Sequence, residues 1–434
     1  MCLKMTSPIF SKTTEMSDNT LIINGFRLNF YRTAADVREN TPPQYFSEKP
    51  SSPFQTATTV HKNDDLFLNL DYLEALERTP PTDFSFAYLV IQHPTTNKVV
   101  GFMACQIKDF DAAKSLNYDD NTASFYEKIK IKAQKIVARL TRFSTLIIGN
   151  LTLTGQHSFY FDEVEIKDFD LKKRLYTEGV SFLKKQLLNK YNIKIASVFV
   201  KDFYQNSPNY ALMQAVKTDG YNEFQVEPNF VFELKIAWKT LEEYMNDLAS
   251  KYRVRAKRAF KKLGTNVEKK EFFEERIMAN QLEINALYAQ VSKNSGFNLV
   301  DLHTDYFLQM KTDLGDRFRL FGYFLDGKLI GFYTTISNGE ELEAHFLGYD
   351  ASLNHEHQIY LNMLFDLINL GIEGRFKRVI FSRTAHEIKS SVGAEPIEMS
   401  LFMKHDNFIM NRLLLTILRI LSPREKWTPR TPFK

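Results

Sequence analysis

Three residues that could move protons alternate along one short stretch of the sequence. Glu341, Glu343 and His345 stand at every second position of the run ELEAHFLGY, which has the composition of a β-strand. Because successive side chains of a strand point to opposite faces, all three are expected on one face. A carboxylate or an imidazole in such a place can act as a general base. The alternative is that they are ordinary strand residues, either paired or facing solvent.

A second group of polar residues begins at the end of the run KRVIFSRT, which is typical of a buried strand. Arg383 and Lys389 stand just past this strand and are predicted to bind an acidic substrate or a phosphate. The alternative is a surface ion pair, for example with Glu387. Tyr349 and Tyr360 flank a loop upstream of this strand, where either phenol could protonate a leaving group.

The histidines near this loop do not predict a metal site. His355 and His357 are two residues apart on a predicted helix and would point in different directions, so they would not readily share a metal with His345. The sequence also lacks the HExxH, CxxC, P-loop and nucleophile-elbow patterns. We therefore predict no metal, and neither hydrolase nor nucleotide-triphosphatase chemistry.

The segment WKTLEEYMNDLASKYRVRAKRAFKKLG ends in a strongly basic helix. Apolar residues recur there at helical spacing, and Gly264 takes the C-terminal cap position. The other faces carry only positive charges: Lys251, Arg253, Arg255, Lys257, Arg258, Lys261 and Lys262. The helix is either a solvated connection between two domains or a surface for a polyanion, such as the phosphates of CoA, tRNA or anionic lipids.

The residues Phe318–Pro396 predict the elements that position these side chains. The first part contains three strands, with turns at Asp326-Gly327 and Asn338-Gly339, pairs that accept positive φ. A helix follows, with Asn354 as its N-cap and apolar residues on one face. A buried strand, the short helix AHEIKSS and a turn at Gly393-Ala394 complete the series.

An earlier part of the chain has the same order of elements. The hairpins FAYLVIQHPTTNKVVGFMACQI and FRLFGYFLDGKLIGFYTTIS share a strand, a polar turn, a lysine, two apolar residues and Gly-Phe. The first continues with a charged helix over Ser124–Leu140, and NFVFELKI is predicted to be its closing strand. The sequence therefore predicts two similar domains. The predicted boundaries are 1–59 for an N-terminal extension with a loop, 60–237 and 238–407 for the domains, and 408–434 for a basic amphipathic tail.

Length and composition agree with two soluble domains. A chain of 434 residues exceeds one ordinary core, and its 44% hydrophobic and 25% charged residues are usual values. Cys2 and Cys105 form no disulfide framework, and no apolar run is long enough to cross a membrane, so a cytoplasmic location is predicted. The tail, with Arg412, Trp427 and Arg430, is predicted either to dock on its own domain or to contact the inner face of the membrane.

Taken in order, these pieces resemble the FemAB-like group of tandem GNAT-superfamily acyltransferases, often labelled peptidoglycan biosynthesis or recognition proteins. The pieces are KYRVRAKRAFKKLG, FLDGKLIGF, AHFLGYD with IYLNMLFDLINLGI, and FSRTAHEIKSSVGAEP. The resemblance covers about Leu66–Asn407. It implies an α/β fold with mixed sheets, built as two tandem GNAT-like acyl-CoA N-acyltransferase domains.

The resemblance also implies a function. Members transfer an acyl or aminoacyl group from acyl-CoA or aminoacyl-tRNA to an amine, so the expected acceptor is an amine of a cell-wall precursor, a peptide or a small molecule. The catalytic residues would be Glu343, His345 and Tyr360. Related sequences carry a His-x-Lys or Glu-x-Lys pair before a Gly-Ala turn. The substrate-binding residues would accordingly be Tyr349, Arg383, His386 and Lys389.

The donor's pyrophosphate would lie at the N-terminus of the helix after the central strand. The cofactor-binding residues would be Asn354, His357, Gln358, Arg255 and Arg258. This chain departs from the family pattern here, because NHEHQIYL lacks the glycines of the usual pyrophosphate loop. The first copy lacks them too and is expected to be structural. The alternative function is a non-catalytic GNAT-fold protein that recognises a cell-wall or lipid intermediate.

Overall fold

The computed structural model describes residues 14–41, 65–111, 142–294, 300–421 and 427–434. The predicted helix over Ser124–Leu140 and most of the predicted N-terminal loop lie outside these ranges. The strands are β1 (Thr14–Met16), β2 (Thr20–Ile23), β3 (Phe26–Tyr31), β4 (Phe84–Gln92), β5 (Val99–Asp111), β6 (Arg142–Ile148), β7 (Phe159–Phe161), β8 (Ser197–Tyr204), β9 (Asn222–Gln225), β10 (Asn229–Glu233), β11 (Val267–Phe272), β12 (Phe318–Leu325), β13 (Lys328–Asn338), β14 (Glu341–Tyr349), β15 (Arg378–Ser382), β16 (Glu395–Ile397) and β17 (Met399–His405).

The helices, numbered along the described ranges, are α1 (Ala34–Asn40), α2 (Leu70–Arg78), α3 (Phe169–Tyr191), α4 (Pro208–Val216), α5 (Leu241–Asp247), α6 (Ser250–Leu263), α7 (Glu274–Ala279), α8 (Gln281–Asn294), α9 (Tyr306–Leu314), α10 (Ala351–His357), α11 (Ile359–Glu373), α12 (His386–Ser391) and α13 (Phe408–Leu421). Short 3-10 turns lie at Leu66–Leu68, Lys217–Asp219 and Gly315–Arg317. None of the described helices is long and apolar enough to span a membrane.

The first sheet has ten strands, in the order β1-β2-β3-β4-β5-β6-β8-β17-β9, with β7 attached to β5. Antiparallel hairpins form one side, and β6 pairs with β8 in parallel. A parallel pair needs a crossover, and α3 supplies it. Asp168 caps the start of α3 through its side chain, and the helix ends at Asn192 in the left-handed region.

The second sheet has seven strands, in the order β11-β12-β13-β14-β15-β10-β16. The predicted turn between β12 and β13 is present, with φ of 50° at Asp326 and 82° at Gly327. The β14 and β15 strands pair in parallel, and α11 crosses between them. The fold is therefore α/β with two mixed sheets, as predicted, and each sheet has the order of a GNAT domain: hairpin strands, helix, parallel strand.

The two halves of the chain exchange their last strands. The strand β10 was expected to close the first copy, and this expectation is wrong: β10 lies between β15 and β16 in the second sheet. Conversely, β17, at the end of the second copy, lies between β8 and β9 in the first sheet. Sequence pattern identifies a strand by its own residues, but its neighbours are chosen by tertiary packing. The sheets therefore do not follow the predicted division at 237/238.

A shared apolar core also joins the halves. Leu73 and Leu76 of α2 belong to the same buried cluster as Phe307 and Met310 of α9. An ion pair between Arg78 of α2 and Asp313 of α9 lies at the edge of this contact. Burial of this surface removes apolar area from water on both sides, so the two halves stabilise each other.

The helix expected to begin at Asn354 is two helices. Asp350 caps α10 through its side chain, and the backbone turns left-handed at Gln358, where φ is 52°. The chain then resumes as α11, whose predicted apolar face is buried. The prediction of Asn354 as the N-cap was therefore wrong, because the helical pattern continues across a break that a single left-handed residue makes.

The end of the chain docks on the second half. Trp427 packs against Phe230 and His386, and Arg430 pairs with Glu387 at 2.9 Å. Phe433 enters the aromatic cluster around Phe232 and Trp238. Residues 427–434 thus take the first of the two predicted alternatives, docking on the protein itself.

Candidate functional site

Each sheet contains a parallel pair of strands that parts part-way along its length. In the second sheet, pairing of β14 with β15 runs from Glu341 and Arg378 to Glu343 and Ile380, and no pair follows although β14 continues to Tyr349. We call the space beyond Glu343 the second gap. In the first sheet, β6 and β8 pair up to Ile148 and Val200, and the space beyond is the first gap.

The first gap is filled by a buried lysine. The ammonium of Lys201 donates to the carbonyl oxygen of Asn150 at 2.7 Å and to that of Leu153, and it pairs with Asp202 at 2.8 Å. Gly149 permits this position: its φ is 121°, and a Cβ there would lie 2.8 Å from Lys201 Cγ. Burial of an ammonium is tolerated when its donors are all satisfied.

The lysine is joined to the second half by an arginine. Asp202 has no exposed surface and also pairs with Arg383, which follows β15. The two cations hold the pKa of the Asp202 carboxyl below its usual value, although burial opposes them. The prediction placed Arg383 at a surface or a substrate; its observed partner is a buried carboxylate of the other half.

Glu343 lies where the second gap begins. It is 4% exposed and has no hydrogen-bond or ion-pair partner among the residues that the structure describes. Burial raises its pKa well above the usual value, and the nearby carboxylates Glu341 and Asp65 raise it further, whereas Arg378 opposes them. Glu341, in contrast to Glu343, has an ion-pair partner, because it pairs with Arg378 at 2.7 Å. Glu343 is therefore a carboxyl group that takes up a proton more readily than an ordinary one.

His345 lies two residues further along β14. Its Nε2 is 2.7 Å from the hydroxyl of Tyr306, and the two rings stack. Burial lowers the pKa of His345 to about 3, so the imidazole is neutral near pH 7. An imidazole with so low a pKa is a weak base. Of the two residues predicted as the base, Glu343 is therefore better suited to accept a proton than His345.

The first half adds two residues beside these carboxylates. His157 Nδ1 lies 2.7 Å from Asp65 Oδ2, and Asn338 of β13 donates to the other oxygen of Asp65 at 3.1 Å. Burial raises the pKa of Glu341; Asp65 raises it further, whereas Arg378 and His157 oppose the rise. Sequence reasoning missed Asp65 and His157, since each stands alone in its segment and only the fold brings them to β14.

The two predicted proton donors lie together near the start of α11. The rings of Tyr349 and Tyr360 are 5.8 Å apart. Burial raises the pKa of both phenols, so both keep their protons near pH 7. The backbone amide of Tyr360 donates to the side chain of Asn354 at 3.0 Å. One amide of the predicted pyrophosphate site is thus capped by a residue that was expected to bind the pyrophosphate.

The predicted basic helix is present as α6 and packs beside this site. Lys262 donates to the carbonyl oxygen of His355 in α10, and the side chain of Asn362 in α11 donates to that of Ala259. Arg255 and Arg258 are exposed and have no acidic partner in the described ranges. The structure therefore places the helix that carries these two exposed arginines beside α10 and α11, which contain or adjoin the predicted cofactor-binding residues His357 and Gln358.

The remaining predicted residues are buried under the end of the chain. Lys389 donates to the carbonyl oxygens of Ser382 and Arg383, and burial lowers its pKa to about 7 although Glu227 opposes this shift. His386 stacks against Phe230. The alternative of a surface ion pair between Glu387 and Arg383 or Lys389 is wrong. The pattern could not show that residues 427–434 would cover this surface and supply Arg430 to Glu387.

Both halves thus have the architecture of a GNAT domain, with a parallel pair of strands that parts, and the chain has a tandem GNAT-like fold. No protein-family model matches the sequence, and no curated protein matches it. Among solved structures, a tandem GNAT protein from the clavulanic acid biosynthesis pathway is similar over 88% of this chain and 99% of its own, with 11% identity and a TM-score of 0.49.

FemX is similar over 81% of this chain and 94% of its own, with 11% identity and a TM-score of 0.48. L-PGS from Bacillus licheniformis is similar over 80% and 93%, with 10% identity and a TM-score of 0.43. Similarity of this degree concerns architecture alone. The fold assignment rests on the strand order and on the parting of the parallel strands.

Proposed function

We propose that the protein is an acyl- or aminoacyltransferase that uses the second gap. The observation that carries the proposal is the contrast between the gaps. Lys201 fills the first, whereas the second begins at Glu343, a buried carboxyl group without a partner in the described part of the chain. The donor's acyl arm would enter the second gap, and the first half would be structural.

Glu343 would act as the general base. The nitrogen of the acceptor amine attacks the acyl carbonyl carbon, a C–N bond forms, and the bond from that carbon to the leaving sulfur or oxygen breaks. The proton lost by the nitrogen passes to Glu343, whose raised pKa suits this transfer near neutral pH. Tyr360 or Tyr349 would return a proton to the leaving thiolate or alkoxide.

The α6 surface would bind the phosphates of the donor. Arg255 and Arg258 are exposed, unpaired in the described ranges, and lie on the helix that contacts α10 and α11. Acyl-CoA and aminoacyl-tRNA both carry phosphates and a reactive acyl group, so this chemistry supports either donor. The acceptor would be an amine of a cell-wall precursor, a peptide or a small molecule.

Thermal unfolding with acetyl-CoA, longer acyl-CoAs and free CoA tests this function. A ligand that binds the native state raises Tm with its concentration, and we expect such a rise for at least one acyl-CoA. If none acts, radiolabelled aminoacyl-tRNA supplied with amine acceptors tests the second donor. Absence of stabilisation by every CoA compound, together with absence of transfer from aminoacyl-tRNA, would overturn the transferase proposal.

A second candidate function is recognition without catalysis. It is favoured by the start of α11, which has no glycine and has one first-turn amide already bonded to Asn354. Such a protein would bind a cell-wall or lipid intermediate and would not turn it over. Saturable binding of the intermediate without product, even with both donors present, would support this candidate.

A further inference from the structure

A directed set of hydrogen bonds connects the first half to His345. It begins at the backbone amide of Leu151, which donates to Gln106 Oε1 at 2.8 Å. A backbone amide only donates, so the orientation of the Gln106 side chain is fixed, and its Nε2 donates to Asn150 Oδ1 at 2.8 Å. The amide of Thr152 donates to the same Oδ1 at 2.9 Å, which fixes Asn150 in turn.

The fixed orientations of Gln106 and Asn150 determine which atoms of the next groups donate. Asn150 Nδ2 donates to the hydroxyl oxygen of Tyr72 at 3.0 Å. The hydroxyl of Thr152 donates to Asn150 Oδ1 at 2.7 Å and lies 3.2 Å from that of Tyr72, which can donate to it. The hydroxyl hydrogens of Thr152 and Tyr72 therefore both have acceptors within the first half.

Tyr306 of the second half lies against this group. Its hydroxyl is 2.7 Å from His345 Nε2. Burial raises the pKa of Tyr306 well above the usual value, and the nearby Tyr72 raises it further. Since Tyr72 and Thr152 use their hydrogens elsewhere, the hydroxyl hydrogen of Tyr306 is available for His345. A neutral imidazole that accepts at Nε2 carries its hydrogen at Nδ1.

The Nδ1 atom of His345 makes no hydrogen bond within the described ranges, and it is not among the buried side-chain atoms that lack a partner. His345 also stands two positions beyond the last paired residue of β14, Glu343. Its position on β14 therefore places His345 beside the start of the second gap.

We propose that His345 is a hydrogen-bond donor to the acyl carbonyl oxygen and that Tyr306 is the positioning residue that fixes its tautomer. The proposal rests on the transferase function proposed above. Attack by the amine places negative charge on that oxygen, and a fixed donor stabilises the charge as it develops. Burial keeps the imidazole neutral, which suits a donor of this kind and not a base.

Comparison of the two repeated halves supports a role for His345 that is specific to the second half. Asp71-Tyr72 and Asp305-Tyr306 stand at the same distance before the hairpin residues Phe84 and Phe318. In the first half Tyr72 contacts Asn150, the second residue past the last parallel pair, and in the second half Tyr306 contacts His345 at the corresponding place. Only the second copy has an imidazole there. The residue that follows the last parallel pair on the second strand is Lys201 in the first copy and Phe381 in the second.

The tautomer is measurable without any activity. Histidine labelled with ¹⁵N in the full chain gives long-range ¹⁵N–¹H correlations, and comparison with His345→Gln identifies the signal among the nine histidines. We expect the Nδ1–H form in the unsubstituted protein at pH 7, and a shift towards the Nε2–H form in Tyr306→Phe. An Nε2–H form in the unsubstituted protein would overturn the proposal.

Two substitutions then separate a donor from a base. In His345→Asn the side-chain Nδ2 lies near the former Nδ1 and retains an N–H, whereas His345→Leu has none. With acetyl-CoA we expect kcat within about tenfold of normal for the Asn variant and about 10²- to 10³-fold lower for the Leu variant, with KM unchanged. Equal losses in both variants would sink the donor role. Absence of transfer in the unsubstituted protein would count against the transferase proposal, and the NMR result would still decide the tautomer.

Discussion

Glu343 combines burial with the absence of a partner in the described ranges, and this combination makes its chemistry testable. We expect Glu343→Gln to lower acyl-transfer turnover by about 10²-fold or more, because the amide cannot accept the proton. The amide has nearly the same shape, so the fold is retained. Turnover is measured beside circular dichroism, with Glu275→Gln at an exposed position as the matched control. Normal turnover in Glu343→Gln would remove Glu343 as the base.

The same substitution has a pH-dependent effect on stability. The pKa of Glu343 is raised in the folded state, so its contribution to stability is present below the usual pKa and is lost as pH rises through the folded value. Glu343→Gln removes this loss. We therefore expect Tm of the variant, relative to the unsubstituted protein, to increase as pH rises above about 4.5. A constant difference between pH 5 and 8 would contradict the shift.

Lys389 provides the opposite case. Its folded pKa is lowered to about 7 by burial. Between that value and its ordinary pKa of 10.5 the unfolded chain binds more protons, so stability rises with pH across this window. We expect the free energy of unfolding, relative to Lys389→Met, to rise by up to about 1.4 kcal/mol per pH unit above pH 7. Urea unfolding at pH 7, 8 and 9 measures it, and a flat difference would show that Lys389 titrates normally.

For individual site residues, the sequence allowed prediction only where the residues lie on one strand. The alternation of Glu341 and Glu343 on β14 could be read directly. Tyr306, His157 and Lys201 could not, because their partners are distant in sequence and the spacing of neighbours carries no information about them. The one available signal was the repeated Asp-Tyr pair before each hairpin, which marks Tyr306 as the counterpart of Tyr72.

Among the elements, α6 makes a prediction of its own. Arg258 is exposed on α6, and its charge is free in the described part of the chain. If α6 binds donor phosphates, Arg258→Glu weakens binding of the stabilising donor by about tenfold or more, and the effect shrinks as salt increases. Titration at 50 mM and 300 mM salt measures this. Lys194→Glu, an exposed charge reversal past the end of α3, is the control; equal losses in both variants would show a general effect of charge.

The elements themselves were mostly predictable. Hairpin turns at Asp326-Gly327, the basic helix and the buried strand before Arg383 follow from local patterns, and all are present. The break at Gln358 was not, since a left-handed residue inside an apolar helical pattern leaves no mark in the sequence. The missed break matters because it puts α10 and the side chain of Asn354 at the start of α11, where an anion was expected.

For the whole molecule, the exchange of β10 and β17 predicts that the halves do not fold alone. A break in the connection near Ile236, which is 91% exposed, leaves each half without one strand of its sheet. We expect residues 1–237 and 238–434 to lack cooperative unfolding when made separately. When made together, they should co-purify and unfold in one transition. Calorimetry of the fragments decides this, and a separate cooperative transition for either fragment would contradict it.

The exchange of β10 and β17 also affects folding during synthesis on the ribosome. The strand β17 fills the place between β8 and β9, yet it is synthesised after nearly all of the second half. Until then β8 presents an unpaired edge, which is the kind of surface on which nascent chains aggregate. A chain terminated early keeps this edge permanently. Only a chain that includes β17 covers the edge of β8. Incomplete chains therefore differ from complete ones by this exposed strand edge in the first half.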